Sequence, residues 1–389
     1  MRSYKILIIA WHASINHISE FIRNLKKTNP NVEISLLSSR PGLDAIPDDV
    51  KENATDITCV KYYSGRIKNR RFARLVDRFY FVQAFARLSK GKYDIVNIHF
   101  AKPRLAYVLR WLRKMSSPIV ISPWGSDVLR LENENSIRNL AKVYSLAYYV
   151  TVGKGSQIGK QLVEKIGVDS RKLVELGWGG DFFDFIQENA INVTMADAKE
   201  RFGLSDRYVI TCGYNSQPEQ RHEFIINTIN SIKKQLPENL TLLLPYTYSR
   251  TAERDSYIES LVKKGKALGL DVISIKEHLN MPDLLKLRMA TDIFVHIQTT
   301  DAGSRCVMEY VACNKKIVHG SWMKYAYLEE FQPSCYFPVN RLEELGGCIV
   351  KAYNTEISDL PTEVKEIIKK RGWRYKMTLW NEFFESLIS

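Results

Sequence analysis

Short apolar runs alternate with longer amphipathic stretches along this 389-residue chain. The runs lie at 5–10, 32–37, 94–99, 119–122, 148–152 and 173–176, with helical periodicity at 17–28, 67–90, 103–115, 134–146 and 155–166 between most of them. Apolar strands separated by helices indicate a parallel sheet covered on both faces. Gly177-Trp-Gly-Gly180 interrupts the pattern, which restarts after a polar stretch at 188–198 with runs at 208–211, 240–244, 271–275, 292–296 and 316–319. The pattern predicts two doubly wound, Rossmann-like α/β domains, 1–180 and 181–370, with a linker at about 178–192. In the last segment, 371–389, Trp373, Met377, Trp380 and Phe384 share one helical stripe, and the segment is expected to cross back onto the first domain.

In two-domain chains of this class, ligands bind outside the carboxyl ends of the strands, in the cleft that the two sheets face. The loop after 292–296 reads Thr299-Thr-Asp301-Ala-Gly303-Ser304-Arg305-Cys-Val-Met-Glu309. Gly303 relieves the turn, and Ser304 can cap a helix that begins there. The remaining free N–H groups and the positive end of the helix dipole suit a diphosphate. Asp301, just ahead, and Glu309, more than a turn inside, bracket a phosphate-linked molecule with hydroxyls at both ends. Taken alone, the stretch is equally a surface helix with a routine cap.

Composition narrows the classes. A hydrophobic content of 45% and a charged content of 25% are those of a folded globular protein. No apolar run approaches the ~20 residues that a membrane-spanning helix needs. The beginning, Met1-Arg-Ser-Tyr-Lys5, imitates a signal peptide, but its apolar run is short and meets Trp11-His12, so a first buried strand is expected. The six cysteines contain no C-x-x-C pair and read as small core residues of a reducing compartment, with no metal site or disulfide frame. The net charge of +13 lies wholly in the first half: residues 1–185 hold 30 Lys and Arg against 17 Asp and Glu, and the rest hold 26 of each. Residues 66–92 alone carry nine basic side chains, among them Arg70, Arg71 and Arg74, and one acid, Asp77. Phe72, Leu75, Phe79, Tyr80, Phe81 and Phe85 interleave with them. Such a segment suits an anionic membrane surface or a lipid-diphosphate acceptor. A solvated helix packing its apolar side on the sheet would give the same pattern.

Several motifs carry a resemblance in their order. Asp94-Ile-Val-Asn-Ile-His99 is a strand ending in His, and Pro118-Ile-Val-Ile-Ser-Pro-Trp124-Gly-Ser-Asp127 is a strand followed by a turn of H-G-x-D form with Trp124 in the His place. Thr151-Val-Gly153 and Arg171-Lys-Leu-Val-Glu-Leu-Gly-Trp-Gly-Gly-Asp181 lead into the linker. Asn280-Met-Pro-Asp-Leu-Leu-Lys286 and Ala290-Thr-Asp-Ile-Phe-Val-His296 precede Asp301 and Glu309, which have E-x7-E spacing. Along nearly its whole length the chain therefore resembles the GT-B nucleotide-sugar glycosyltransferases, specifically retaining glycosyltransferase family four. It departs from them at three places. Asp301 is one methylene shorter than the usual Glu, and Trp124 lacks the hydrogen-bonding capacity of His. The loop Cys212-Gly-Tyr-Asn215-Ser-Gln-Pro-Glu-Gln-Arg221-His222 lacks the family's Gly-Arg and Lys-Gly pairs, leaving Arg221 as the nearest cation.

The resemblance implies a sugar moved from a nucleotide-diphosphate donor in the second domain to an acceptor reached through the first. It implies retention of configuration by a front-face route, with no metal or other cofactor. The leaving diphosphate falls to Gly303, Ser304, Arg305 and Arg221, because its developing charge must be stabilised. Glu309 is expected on the donor ribose and Asp301 on the sugar, with Asn215 and Lys276 also lining the donor side. Asp127, Asp301 and His12 are the catalytic candidates. His17, with Arg70, Arg71 and Arg74, is assigned to the acceptor or membrane side, and His99 reads as a buried, satisfied imidazole. The expected setting is bacterial surface-polysaccharide synthesis on a lipid-linked or oligosaccharide acceptor, by a cytoplasmic protein peripheral at the inner face of the membrane.

Rival readings stay open. Leu242-Leu-Leu-Pro-Tyr-Thr-Tyr248, followed by Tyr257-Ile, resembles the inverting bacterial Fuc4NAc transferases. A nucleotide-sugar epimerase shares the architecture but needs no acceptor surface. The missing Gly-Arg and Lys-Gly pairs would suit a non-catalytic transferase partner. Nucleic acid is not expected as a partner, because no recognition motif accompanies the positive charge.

Overall fold

Six strands form the sheet of the first domain: β1 (Lys5–Ala10), β2 (Glu33–Ser38), β3 (Asp56–Cys59), β4 (Ile95–His99), β5 (Ile119–Ser122) and β6 (Tyr149–Val150). Their order is β3-β2-β1-β4-β5-β6, with parallel pairing throughout. The second domain repeats the plan with β7 (Tyr208–Cys212), β8 (Leu240–Pro245), β9 (Asp271–Ile275), β10 (Ile293–His296), β11 (Lys316–Gly320) and β12 (Tyr336–Val339). The order there, β12-β11-β10-β7-β8-β9, is the same winding seen from the other edge. In each sheet the winding reverses once, between β1 and β4 and between β7 and β10, and ligands of open α/β sheets sit beyond the strand ends at that reversal. This computed structural model describes all residues except 1, 12–14, 40–41, 61, 63–66, 116, 132, 154–155, 247–250, 302–303 and 389, with backbone alone for Ile15 and Asn16.

The first domain comprises Met1–Gly180 and Trp373–Ser389, the second Asp181–Gly372. Alternation along β1 sends Leu7 and Ile9 to one face, packed with Phe81 and Phe85 of the basic helix Arg70–Leu88. Ile6 and Ile8 point to the other face, with Phe21, Trp373 and Trp380. Trp373, Met377, Trp380 and Phe384 of the helix Trp373–Ile388 are fully buried in that second cluster. Polar pins set their depth: Trp373 Nε1 donates to Glu20 (3.0 Å), and Trp380 Nε1 to the carbonyl of Gly177 (3.2 Å). A Cβ on Gly179 would lie 2.5 Å from the Trp373 indole, so only glycine lets the chain pass there.

Three expectations change. Residues 173–176 form no strand; Leu173 makes a single bridge to Val150. Two strands, β3 and β12, add to the expected set: Asp-Ile-Thr-Cys is half-exposed, and β12 contains Pro338, both departures from an apolar run that an edge position tolerates. The expected linker holds a helix, Asp181–Asn189, because Phe182, Phe183 and Ile186 share a face and are buried in the second domain. No disulfide joins the cysteines, and four of the six are buried. Among the described residues no helix is long and apolar enough to cross a membrane.

Candidate active site

The loops after β7 and β10 flank the reversal of the second sheet, and side chains lace them together. Gly213 leaves β7 with φ 65°, and a Cβ there would lie 2.7 Å from the Gln220 amide oxygen. Gln220 Nε2 donates to Gln298 Oε1 across the reversal (2.6 Å), and Thr299 N–H donates to the Glu219 carbonyl (3.2 Å). Trp322 Nε1 donates to the Gln298 carbonyl (2.8 Å), and its ring lies 5.5 Å from the Arg221 guanidinium. Arg221, held at φ 59° where the loop turns into the helix His222–Ile232, is thus oriented by an aromatic face. Asn215 is buried in the same loop and accepts from Gln217 N–H (2.8 Å). Behind it, burial lowers the pKa of His222 to about 4, keeping the ring neutral.

The helix Arg305–Ala312 begins at Ser304, whose hydroxyl accepts from Cys306 N–H (3.2 Å). Asp301 turns back into this corner. Its Oδ2 accepts from His296 Nε2 (3.0 Å), from Ser304 N–H (3.2 Å) and from the Tyr325 hydroxyl, which in turn accepts from Ser304 N–H (2.7 Å). Burial pushes the Asp301 pKa up, but the bonds from His296, Tyr325 and Ser304 outweigh it and hold the carboxyl below its usual range. All three of these bonds fall on Oδ2, which ties the carboxylate to its own turn. His319 stacks on His296 at 5.5 Å, and burial lowers its pKa to about 3.

Glu309 lies one face further round the same helix, buried and paired. Arg288, from the helix Met281–Ala290, donates to Glu309 Oε2 through Nε (3.1 Å) and a terminal nitrogen (2.8 Å), and its other terminal nitrogen donates to the Tyr310 hydroxyl (3.1 Å). Both bonds to the carboxylate use Oε2, so Oε1 retains its acceptor capacity. Lys276 is drawn elsewhere: its ammonium pairs with Glu259 at 2.9 Å, a partly exposed contact worth at most about 1 kcal/mol. It therefore has the surroundings of an ordinary turn residue. Arg305 is half-buried at the helix start. Gly303 and His12 lie outside the described residues.

In the first domain, Asp127 follows β5 and closes its own turn, its Oδ1 accepting from Trp124 N–H (2.9 Å) and Gly125 N–H (3.0 Å). Gly125 has φ 107°, a conformation that glycine alone adopts cheaply. Oδ2 is buried without a hydrogen-bond partner among the described residues, and burial pushes the Asp127 pKa up to about 6 against the backbone bonds. His17 packs edge-on to Trp124 at 5.1 Å. His99 is buried as expected but not satisfied, since neither ring nitrogen has a hydrogen-bond partner among the described residues. It sits among Phe21, Trp124 and Trp178, and burial lowers its pKa to about 3. Arg70, Arg71 and Arg74 open the helix Arg70–Leu88, with Asn69 as its cap.

Sequence reasoning missed Arg288, Tyr325 and His296. His296 had one signal, its place at a strand end five residues before Asp301. Arg288 and Tyr325 had none, since they reach the site from other elements.

Residues 5–152 match the family model described as "Glycosyl transferase 4-like". No curated protein matches the chain. A glycosyltransferase from Rickettsia africae ESF-5 superposes with TM-score 0.72 at 13% identity, over 100% of both chains. Anabaena Alr3699/HepE, in complex with UDP and glucose, gives 0.69 at 15% identity, over 98% of this chain and 100% of its own. Sucrose-phosphate synthase from Thermosynechococcus elongatus gives 0.71 at 15% identity, over 99% of each. At such identities these likenesses speak for the fold, which is GT-B. The chain has the GT-B fold, and residues 5–152 of its first domain match a glycosyl transferase 4-like model.

Proposed function

We propose that this protein transfers a sugar from a nucleotide-diphosphate sugar, held by the second domain, to a lipid-linked glycan of a bacterial surface polysaccharide. The observation that carries the donor assignment is Glu309: Arg288 fixes one carboxylate oxygen and leaves the other to accept from ribose hydroxyls. The bound UDP of Anabaena HepE supports a nucleotide diphosphate as the donor's leaving half. The diphosphate would lie on the start of the helix Arg305–Ala312, between Ser304, Arg305 and Arg221, where N–H groups and guanidinium charge take the place of a metal.

In the transfer, the acceptor oxygen bonds to the sugar's anomeric carbon as the bond from that carbon to the phosphate oxygen breaks. The electron pair leaves with the diphosphate, one of whose oxygens takes the acceptor's hydroxyl proton. Attack from the leaving-group side retains configuration. The basic helix of the first domain supports a peripheral place at the cytoplasmic face of the membrane, where lipid-linked acceptors are presented.

A thermal-shift screen of nucleotides and nucleotide sugars tests this reading. A bound donor at 100 times its Kd adds about 2.7 kcal/mol to the folded state. Glu309→Gln keeps an acceptor oxygen but loses the charge, which should weaken nucleotide binding roughly tenfold relative to wild type. The reading fails if no nucleotide or nucleotide sugar shifts the melting temperature and none is turned over.

A further inference from the structure

A cavity of about 740 Å³ lies in the first domain, between the helix Arg70–Leu88 and the 3-10 segment Pro103–Val108. Four arginines line it, Arg71, Arg74, Arg78 and Arg104, with one acid, Asp77. The first three are spaced three and four residues apart and so share one helix face. Among the described residues none of these three has a carboxylate partner.

Two of the guanidiniums are held by aromatic faces. Arg78 lies 4.0 Å over the Tyr107 ring, and Arg104 lies 4.1 Å over Trp11, 5.2 Å from Phe81 and 5.3 Å from Tyr62. Stacking uses the flat face of a guanidinium and leaves its N–H edge for an acceptor. Arg104 Nε is buried with no hydrogen-bond partner among the described residues, and burial pushes its pKa down, although Tyr62 and Asp77 oppose this. Arg71, Arg74 and Arg78 are exposed and solvated, so their positive field is open to an anion entering the cavity, and Arg104 is the partly buried member at its wall.

The same helix carries an outer apolar row. Phe72, Leu75 and Phe79 are 57%, 64% and 62% exposed, while Phe81, Ala84 and Phe85 are buried on the sheet side. At about 100° per residue Leu75 falls between the arginine face and the two phenylalanines. It also lines the cavity, so the anion-seeking pocket opens onto the apolar row. A ligand that answers both features has a multiply charged phosphate head and an apolar tail.

We propose that this cavity binds the diphosphate of a lipid-carried acceptor, with Arg71, Arg74, Arg78 and Arg104 around the head and Phe72, Leu75 and Phe79 against the lipid. The proposal rests on the lipid-linked acceptor of the proposed function and gives it a place. Binding to the head is charge-assisted and bidentate, whereas a bilayer of simple anionic lipid offers the arginines only scattered single charges.

Vesicle flotation tests it with the full chain and three compositions: phosphatidylcholine alone, phosphatidylcholine with a polyprenyl diphosphate, and phosphatidylcholine with phosphatidylglycerol at matched charge. Wild type should bind the polyprenyl diphosphate vesicles at least tenfold more tightly than the phosphatidylglycerol vesicles. Arg74→Glu with Arg78→Glu should abolish that preference, and the exposed second-domain change Lys263→Glu should preserve it. Inorganic pyrophosphate should compete only at concentrations far above those of the lipid. Equal binding to both anionic vesicles, an unchanged preference in the double variant, or full competition by equimolar pyrophosphate would each overturn the proposal. Lipid preference without any nucleotide-induced thermal shift in wild type would sink the transferase reading and leave the pocket standing; the reverse result would sink the pocket alone.

Discussion

Replacing Arg288 with Met is expected to destabilise the second domain by about 3–5 kcal/mol, because it strands a buried carboxylate. Glu309 and Arg288 are both almost fully buried, and the guanidinium also serves the Tyr310 hydroxyl. Methionine fills much of the volume but supplies no donor, so Glu309 must either stay charged in an apolar setting or take up a proton. Adding Glu309→Gln to Arg288→Met should restore most of the loss, since a neutral amide costs far less to bury than a charge. Urea denaturation of Arg288→Met, Glu309→Gln and the double variant measures the coupling, and hydrogen exchange over the helix Arg305–Ala312 localises it. An Arg288→Met protein within about 1 kcal/mol of wild type would show that the pair is more solvated than its geometry implies.

Asp127→Asn should stabilise the first domain at pH 7.5 and leave it nearly unchanged at pH 4. The sign follows from the direction in which burial moves the carboxyl. Burial holds the Asp127 carboxyl at about 6 in the folded protein, whereas an unfolded Asp titrates near 3.9. Between those values the folded state binds a proton that the unfolded state has released, so stability is present below the lower value and is lost as pH rises through the upper one. The gap between the two values corresponds to about 3 kcal/mol at most. Asparagine keeps an oxygen for Trp124 N–H and Gly125 N–H and carries no charge, so the variant escapes the loss. The check is the difference in unfolding free energy between variant and wild type at pH 4 and pH 7.5; a difference that does not grow with pH removes the explanation. The same variant also separates two roles. A carboxylate that merely closes a turn would leave turnover intact, whereas one that exchanges a proton with substrate would lose turnover while gaining stability.

The plan of the fold was legible because the core strands of both sheets are buried on two faces and must be apolar throughout. Runs such as 5–10 and 240–244 therefore announce themselves. β3 and β12 did not, since β3 is half-exposed along its length and β12 is interrupted by Pro338, departures that an edge position tolerates. The helix Asp181–Asn189 was hidden by its polar face, its apolar positions acquiring meaning only against Cys313 and Leu285. At the site, the Ser304 cap and the place of Glu309 within a helix were readable from local rules that span only a few residues.

The sequence by itself determined two doubly wound sheets, the side of each sheet where loops gather, a capped helix with an acid on either side of its start, and a first half bearing the whole positive excess. These follow from periodicity, turn chemistry and charge, which act between near neighbours. Only the tertiary structure decided what each acid does. Arg288, 21 residues before Glu309 in sequence, holds that carboxylate by one oxygen. Tyr325 and His296 draw Asp301 back into its own turn. Tyr62, Tyr107 and the arginines of the helix Arg70–Leu88 meet around one cavity although three separate segments carry them. Hydrogen bonds and ion pairs act over about 3 Å, so their partners are fixed by packing, and packing brings together residues that no local pattern connects.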